Sequence, residues 1–259
     1  MTEREESMEA KAIILAAGMG TRLKPLTLTS HKCMTKVNGT PIIHNALNCL
    51  KSIGVKEAEI VVGYLAEEIR NTLGDSFDTV KLNYTINDIY SETNTSYSLK
   101  LGLETAKDYD RLFVLEGDVF FSLALLERLV DDQHENATLL EKYNPALDGT
   151  FAQADESGYV IDWTHKSMRE PGYTLEDKYK TINLHKFGKT FVESCLYPSV
   201  EETCRKTRGK DPLENVMRSI VRKDQRAVYG LDSAGIKWFE IDDCKDLAIA
   251  EELFREEEK

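Results

Sequence analysis

The chain of 259 residues is poor in cysteine, and its few cysteines do not stand in pairs. The five are scattered along the sequence: Cys33, Cys49, Cys195, Cys204 and Cys244. Because the sequence has no Cys-x-x-Cys motif, it argues against a disulfide framework or a zinc site and favours reduced thiols in the cytoplasm. It also lacks any apolar run near the ~20 residues of a membrane span, and residues 1–10 lack the regions of a secretory signal. We therefore expect a cytoplasmic protein without membrane insertion.

Positive charge is also in deficit, since the formal net charge is −12. This balance argues against nucleic acid as a partner, because phosphate backbones are bound by a surplus of Lys and Arg. Half of the excess lies at the ends: residues 1–10 hold four Glu and one Arg, and residues 251–259 hold five Glu, one Arg and one Lys. Between them, Arg22, Lys24, Lys32 and Lys36 are crowded without a nearby acid. A local basic cluster in an acidic protein indicates a small anionic ligand.

The first half of the sequence alternates between strand and helix patterns. Buried or alternating apolar runs predict strands over 11–17, 58–64, 80–86 and 111–118. Helical spacing predicts helices over 41–54, 65–74 and 96–106. This alternation predicts an α/β fold in which helices cover both faces of a mostly parallel sheet.

The second half has a different character, with short strand-like pieces separated by turns. These pieces cover 135–143, 149–155, 159–163 and 179–187, and helices near 189–206 and 212–222 follow. Strands over 226–230 and 237–241 and a helix from 243 complete the pattern. We predict a flexible acidic N-terminus over 1–10 and one domain over 11–255. Within that domain we expect a nucleotide-binding half at about 11–132, an inserted substrate lobe at about 133–235, and a closing strand and helix over 236–255.

The stretch ILAAGMGTRLKPLT, residues 14–27, follows the first predicted strand. It fits neither the P-loop nor the dinucleotide fingerprint, because Leu23 stands where each pattern requires glycine. Gly18 and Gly20 would let the backbone approach a phosphate closely, and Arg22 would offer it two hydrogen bonds. The alternative is a glycine-rich surface turn with solvated charges. A strand, a glycine loop and a basic cluster in succession favour phosphate binding.

Acidic residues follow two further strands, at Asp118 in EGDVFF and at Asp242 in FEIDD. Asp118 could instead be the N-cap of the next helix, although Ser122 can fill that role equally well. Asp243 suits an N-cap better than Asp242 does, which leaves Asp242 without a structural explanation. Ligands bind beyond the carboxyl ends of parallel strands, and two acids meeting there would suit Mg²⁺.

With these motifs in place, the chain resembles the sugar-phosphate nucleotidyltransferase superfamily over nearly its whole length. ILAAGMGTRLKPLT, then Lys32 and VNGTPII, is similar to the family signature A-A-G-x-G-T-R-L with its later P-K pair. LEGDVFF and WFEIDDCKDLAIAE are similar to its metal-binding strand end and closing segment. NDIYSETNTSYSLKLGL resembles phosphocholine cytidylyltransferases, whereas LDGTFAQAD and YKTINLHKFGKTF resemble 2-aminoethylphosphonate cytidylyltransferases. The resemblance therefore implies a Rossmann-like nucleotidyltransferase fold with a small inserted substrate lobe.

The resemblance also implies roles for individual residues. Lys32 and Arg22 would be catalytic, and Asp118 and Asp242 would bind Mg²⁺. The nucleotide would contact seven residues: Ala17, Gly18, Gly20, Thr21, Tyr64, Asn94 and Ser98. For the acceptor, a cationic end needs a counter-charge or an aromatic cage, for which the candidates are Tyr143, Asp148 and Trp163, and Lys180 could face the phosphonate. Trp163 ends an apolar strand, which also fits a place in the core.

The chain departs from the family pattern at two positions. His31 replaces the proline before the lysine, and Thr95 replaces the second asparagine of the phosphocholine motif. The first departure bears on the loop that presents Lys32, and the second bears on recognition of the base or the acceptor.

The function implied is transfer of CMP from CTP to a small phosphonate or phosphate, with 2-aminoethylphosphonate as the first choice of acceptor and release of pyrophosphate. Alternatives are a phosphocholine or phosphoethanolamine cytidylyltransferase and a sugar- or polyol-phosphate nucleotidyltransferase. A non-catalytic nucleotide sensor could dispense with Lys32, Asp118 and Asp242, yet all three are present. CTP and the acceptor are the expected partners, and the resemblance leaves a homodimer open.

Overall fold

The computed structural model describes residues 9–255 of the chain. Their strands are β1 (Ala10–Ala16), β2 (Lys36–Val37), β3 (Thr40–Pro41), β4 (Glu57–Val62), β5 (Ser76–Phe77), β6 (Val80–Ile86), β7 (Arg111–Glu116), β8 (Val119–Phe121), β9 (Ala137–Lys142), β10 (Phe151–Ala154), β11 (Val160–Thr164), β12 (Tyr179–Gly188), β13 (Tyr229–Asp232) and β14 (Trp238–Glu240). Their α-helices are α1 (Ile42–Ser52), α2 (Ala66–Leu73), α3 (Thr95–Thr105), α4 (Leu123–Asp131), α5 (Lys189–Phe191), α6 (Tyr197–Thr207), α7 (Leu213–Lys223) and α8 (Cys244–Leu253). The predicted flexible segment 1–10 lies mostly outside the described residues.

A ten-stranded mixed sheet forms the centre of the described residues, with the main strand order β11-β10-β12-β7-β1-β4-β6-β5. Strands β7, β1, β4 and β6 run parallel to one another, as the alternation of strands and helices predicts. The second half joins the same sheet through β12, which runs antiparallel to β7 and also pairs with β9 and β10. The fold class expected from the sequence, a mostly parallel central sheet with antiparallel additions, is confirmed.

Side chains of β1 alternate between the two faces of the sheet, as the pleat of a strand requires. Ala12, Ile14 and Ala16 pack in one core with residues of α1, α2 and α4, whereas Ile13 and Leu15 pack in a second core with residues of α3, α6 and α7. Because both faces of β1 are covered by helices, its sequence is continuously apolar rather than alternating. The polar residues that follow β1 are therefore held at the edge of a rigid, doubly covered strand.

In a small two-stranded sheet outside the main one, the last described strand pairs with a strand from the middle of the sequence. Strand β14 pairs antiparallel with β8, and the Ile241 N–H donates to the Asp118 carbonyl at 2.9 Å. Helix α8 then begins at Asp243, whose side chain accepts from the backbone N–H groups of Lys245 and Asp246 in a capping box. Asp243 is thus the helix cap expected from the sequence, and Asp242 is free for another role.

Two expectations of the second half need adjustment. The strand expected over 226–230 begins later, at Tyr229 in β13. The helix expected over 189–206 is interrupted, because Val192–Leu196 forms a π-helical segment between α5 and α6. The region 166–178 contains only a short 3₁₀ turn, Lys166–Met168, between β11 and β12. Among the described residues, no helix is both long and apolar enough to cross a membrane.

Candidate active site

A cleft of about 610 Å³ opens beyond the carboxyl ends of β1 and β7 and is lined by residues from both halves of the sequence. Eleven of the candidates chosen from sequence line it: Ala17, Gly18, Gly20, Thr21, Arg22, Lys32, Asn94, Ser98, Asp118, Lys180 and Asp242. Residues that are distant in sequence therefore converge on one site, at the edge of the sheet where ligands of parallel α/β folds bind.

The glycine loop after β1 is shaped around Lys32. Gly20 has a left-handed backbone with φ +56°, and its carbonyl accepts a hydrogen bond from Thr27 Oγ1 at 2.8 Å. A Cβ atom at Gly20 would lie 2.9 Å from Lys32 Cβ, whereas one at Gly18 would meet nothing within 4 Å. Glycine is thus required at position 20 both by backbone conformation and by the side chain of Lys32.

Lys32 lies at the centre of the charged groups in the cleft. Its Nζ donates to Asp118 Oδ2 at 2.7 Å and to Asp242 Oδ1 at 2.8 Å, and Arg22 contacts the same Asp242 oxygen at 2.7 Å. Burial disfavours the charged form of Lys32, but the two carboxylates outweigh it and raise the pKa of the ammonium above its ordinary value. Burial likewise opposes the charge on Asp242, yet Lys32 and Arg22 hold the pKa of its carboxyl below the usual range. Lys32 and Asp242 are therefore both charged at neutral pH.

The same carboxylates fit a divalent cation. Asp118 Oδ1 is buried and has no hydrogen-bond partner among residues 9–255, although Oδ2 of the same group binds Lys32. Carboxylate oxygens are the preferred ligands of Mg²⁺, and an unpartnered buried oxygen beside a second carboxylate is a place that a cation can stabilise. Nearby, Glu116, Asp118 and Glu240 also offer oxygens within 4.8 Å of one another.

Sequence reasoning missed Glu116 and Glu240, which line the cleft beside the two aspartates. Burial, together with the charges of Glu214, Asp118 and Glu240, raises the pKa of Glu116 well above its ordinary value. Burial also raises the pKa of Glu240, although Lys180 opposes that shift through a 2.8 Å ion pair. The sequence did contain a signal for these two glutamates, because Glu-x-Asp stands at the end of β7 as EGD and at the end of β14 as EID.

The second half of the chain contributes polar groups from β12 and α7. Lys180 and Asn183 come from β12, where the pairing with β9 shifts between Thr181 and His185, and Asn183 Nδ2 donates to Glu116 Oε2 at 2.9 Å. Glu214 lies in the first turn of α7, where its Oε1 accepts from Thr150 Oγ1 at 3.0 Å. Neither Glu116 nor Glu214 has a cationic partner within 4.0 Å among residues 9–255.

Four candidates do not line this cleft. Tyr64 donates its hydroxyl to the Thr27 carbonyl at 2.9 Å and so supports the glycine loop from outside. Trp163 is only 1% exposed and packs in the second core, in keeping with the end of an apolar strand. Tyr143 packs edge-on against Phe151, and the exposed Asp148 pairs with Lys166 at 3.2 Å. The structure therefore places Tyr143, Asp148 and Trp163 outside the lining of this cleft.

The two departures from the family pattern have local explanations. Thr95 Oγ1 accepts from the Leu213 N–H at 2.8 Å, so this hydroxyl ties the start of α3 to the start of α7. His31 has φ −65° and ψ 147°, which is the backbone conformation that a proline would impose. The loop that presents Lys32 is therefore not displaced by the loss of proline.

The chain belongs to the nucleotidyl transferase family, whose model matches residues 11–255. Two curated relatives carry specific names. CMP-5'-(3-aminopropyl)phosphonate synthase of Streptomyces rubellomurinus is 30% identical over 249 residues, which are 96% of this chain and 39% of that protein. The 2-aminoethylphosphonate cytidylyltransferase of Lancefieldella rimae is 30% identical over 180 residues, covering 70% of this chain and 62% of the relative. The chain thus spans less than two thirds of the length of either relative.

A solved structure gives the same fold. The CTP:phosphocholine cytidylyltransferase of Streptococcus pneumoniae superposes with a TM-score of 0.73, covering 96% of this chain and 100% of that one at 23% sequence identity. At this identity the match supports the Rossmann-like nucleotidyltransferase fold alone.

Proposed function

We propose that the protein is a cytidylyltransferase that transfers CMP from CTP to a small aminoalkylphosphonate, with 2-aminoethylphosphonate as the first candidate, and releases pyrophosphate. The observation that carries the proposal is the Lys32 ammonium, which lies between Asp118 and Asp242 and beside a glycine loop in one cleft. The names of the two curated relatives support CMP transfer to a phosphonate. Such a reaction uses a cytoplasmic nucleotide, which agrees with the reduced cysteines.

The reaction needs no nucleophile from the protein, because the acceptor supplies one. A phosphonate oxygen attacks the α-phosphorus of CTP, the new P–O bond joins CMP to the phosphonate, and the bond to the β-phosphate breaks as pyrophosphate leaves. Catalysis then consists of bringing two anions together and stabilising the charge that moves. Lys32 would stabilise the α-phosphate, and Arg22, which is 64% exposed at the mouth of the cleft, would contact the β- and γ-phosphates.

The divisions expected from sequence give each half a task in this proposal. The half at about 11–132 would hold CTP through the backbone of Ala17, Gly18, Gly20 and Thr21, with Asn94 and Ser98 near the base and ribose. Asn94 also caps α3 by accepting from the Thr95 N–H at 2.8 Å, so its side chain is held in place. The closing segment, 236–255, would contribute Asp242.

Asp118 and Asp242 would hold Mg²⁺, and Glu116 and Glu240 lie close enough to assist them. When bound, the ion would neutralise phosphate charge in the cleft. Because Lys32 occupies the space between the two aspartates in the free protein, we expect its side chain to turn toward the phosphates when the substrate complex forms.

The charge balance of the cleft supports an acceptor with a cationic end. Lys180 is paired with Glu240, and Lys32 with the two aspartates. Among residues 9–255, Glu116 and Glu214 form no ion pair within 4.0 Å, and the charge of Lys180 acts on them only from a greater distance. Burial, followed by the charge of Glu214, raises the pKa of Glu116. An ammonium group between Glu116 and Glu214 would relieve the repulsion between them, and Lys180 would face the phosphonate. A sugar phosphate, whose sugar carries no positive charge, would bring no cationic partner for either carboxylate.

The proposal is tested by pyrophosphate release from a panel of substrates in the presence of Mg²⁺. CTP, UTP, ATP and dTTP are each combined with 2-aminoethylphosphonate, 3-aminopropylphosphonate, phosphocholine, phosphoethanolamine and glucose 1-phosphate. We expect the highest kcat/KM for CTP with an aminoalkylphosphonate. A preference for phosphocholine would indicate a phosphocholine cytidylyltransferase instead, and a preference for glucose 1-phosphate would overturn the acceptor proposal.

A further inference from the structure

His31 is a buried imidazole in the wall of the cleft for which the proposed reaction has no use. It is 2% exposed and lies between the glycine loop and Lys32. Burial lowers the pKa of this imidazole to about 4, so the ring is neutral at neutral pH. Its contacts connect it to both parts of the site.

On one side His31 holds the turn that presents Lys32. The ring Nδ1 accepts from the Cys33 N–H at 3.1 Å, which caps the 3₁₀ turn Lys32–Met34. The His31 backbone N–H donates to Glu68 Oε2 at 2.7 Å, and Ser30 Oγ donates to Glu68 Oε1 at the same distance. A proline at position 31 could not make the bond to Glu68, since it has no N–H. Glu68 on α2 and His31 therefore together hold the segment that leads into Lys32.

On the other side the ring faces the glycine loop with an unused donor. Because Nδ1 accepts a hydrogen bond, the proton of the neutral ring lies on Nε2. Among residues 9–255, Nε2 is buried and makes no hydrogen bond of full geometry, although the Gly18 backbone carbonyl lies near enough to oppose the fall in the pKa of the ring. A buried donor without a partner is costly, so a small movement of the loop that brought the Gly18 carbonyl into range would be favourable.

We propose that His31 is a positioning residue that couples the glycine loop to Lys32: its Nδ1 side fixes the lysine turn, and its Nε2–H binds the Gly18 carbonyl when the loop closes on the triphosphate. The proposal rests on the proposed function, because it assumes that a nucleoside triphosphate occupies the loop. It assigns the two ring nitrogens to two separable effects, one on the stability of the free protein and one on nucleotide binding.

Three substitutions separate these effects. His31→Asn keeps an acceptor near the position of Nδ1 and removes the distal donor, whereas His31→Gln keeps a donor near Nε2 and removes the cap. His31→Ala removes both, and all three keep the backbone N–H for Glu68. The matched control is His44→Asn on α1, which also has a buried, unpartnered Nε2 but lies outside the cleft.

Melting temperature and the Kd for CTP with Mg²⁺, measured by calorimetry without acceptor, are compared with kcat/KM for pyrophosphate release. We expect His31→Asn to melt above His31→Ala but to bind CTP about tenfold more weakly than wild type, the effect of one neutral hydrogen bond. His31→Gln should melt as low as His31→Ala and recover most of the CTP affinity. The control should keep the wild-type Kd.

If CTP affinity follows melting temperature across the three variants, His31 has only a structural role and the proposal is overturned. An imidazole Nε2 proton whose NMR signal does not shift when CTP and Mg²⁺ are added to the wild type overturns it as well. Calorimetry does not depend on turnover, so a wild type that binds CTP but releases no pyrophosphate with any acceptor contradicts the proposed function and leaves the test of His31 intact.

Discussion

Replacing Lys32 with alanine changes two properties of the site, and the structure gives a magnitude for each. Its ammonium contacts one oxygen of Asp118 at 2.7 Å and one of Asp242 at 2.8 Å, so these oxygens are at most 5.5 Å apart. At an effective dielectric constant near 20, two unit charges 5.5 Å apart repel by about 3 kcal/mol. Arg22 and solvent offset part of this repulsion. We therefore expect the variant to be less stable than wild type by up to about 3 kcal/mol when no metal is present.

Mg²⁺ should restore this stability, because a cation between the aspartates replaces the lost ammonium. In urea titrations with and without Mg²⁺, the increase in the free energy of unfolding should be larger for Lys32→Ala than for wild type. The turnover rate should not recover, since removal of one preorganised charge typically costs about 3–4 kcal/mol of transition-state stabilisation. Pyrophosphate release should thus fall by two to three orders of magnitude in kcat at saturating Mg²⁺.

The matched control is Lys24→Ala, which removes the same charge from the same loop at an exposed position outside the cleft. It should keep wild-type stability and kcat within a few-fold. A Lys32→Ala protein that is folded and turns over within tenfold of wild type would refute the catalytic role. If Mg²⁺ raised the free energy of unfolding of Lys32→Ala and of wild type equally, the expected repulsion between Asp118 and Asp242 would be refuted.

Three further results are expected from the geometry. Glu214→Gln should raise KM for 2-aminoethylphosphonate about tenfold or more while KM for CTP stays unchanged; an equal rise for both substrates in initial-rate assays would contradict an ammonium site. Gly20→Ala should lose activity because its Cβ would clash with Lys32, whereas Gly18→Ala should keep the wild-type melting temperature. If Gly18→Ala no longer bound CTP, that loss would indicate that a ligand lies against position 18. Burial lowers the pKa of His185 to about 3, so the unfolded chain binds a proton near pH 6.5 that the folded protein does not. The free energy of unfolding should therefore fall as the pH decreases below 6.5, and His185 should contribute at most about 1.4 kcal/mol per pH unit to that fall. When unfolding free energies are measured by chemical denaturation at several pH values, those of His185→Gln should depend less steeply on pH.

Much of the fold could be predicted from sequence because the central strands are covered on both sides. A doubly buried strand such as β1 must be continuously apolar, and glycines and helix patterns mark where it ends. The order of strands and helices then places the glycine loop and Asp118 at one edge of the sheet. These features follow from local patterns and the rules of parallel α/β topology.

The acceptor side could not be predicted in the same way. Trp163 and Lys180 have similar local signals, an aromatic or basic residue in a strand of the inserted half, yet one is in the core and the other is in the cleft. The difference depends on the antiparallel pairing of β12 with β7, β9 and β10 and on the shift in its register near Asn183. Glu214 was missed because its position depends on how α7 packs against β11. Such long-range packing leaves no short motif.

The pairing of β8 with β14 has a consequence for the order in which the site is assembled. Lys32 and Asp242 are 210 residues apart. At about 5–20 residues per second, a ribosome needs roughly 10–40 s to synthesise the chain between them. During that time a nascent protein can form the glycine loop and most of the sheet, but it lacks one of the two carboxylates that hold Lys32. The site would then be completed in one late step, when β14 pairs with β8. A prematurely terminated chain could therefore fold in large part without gaining the activity.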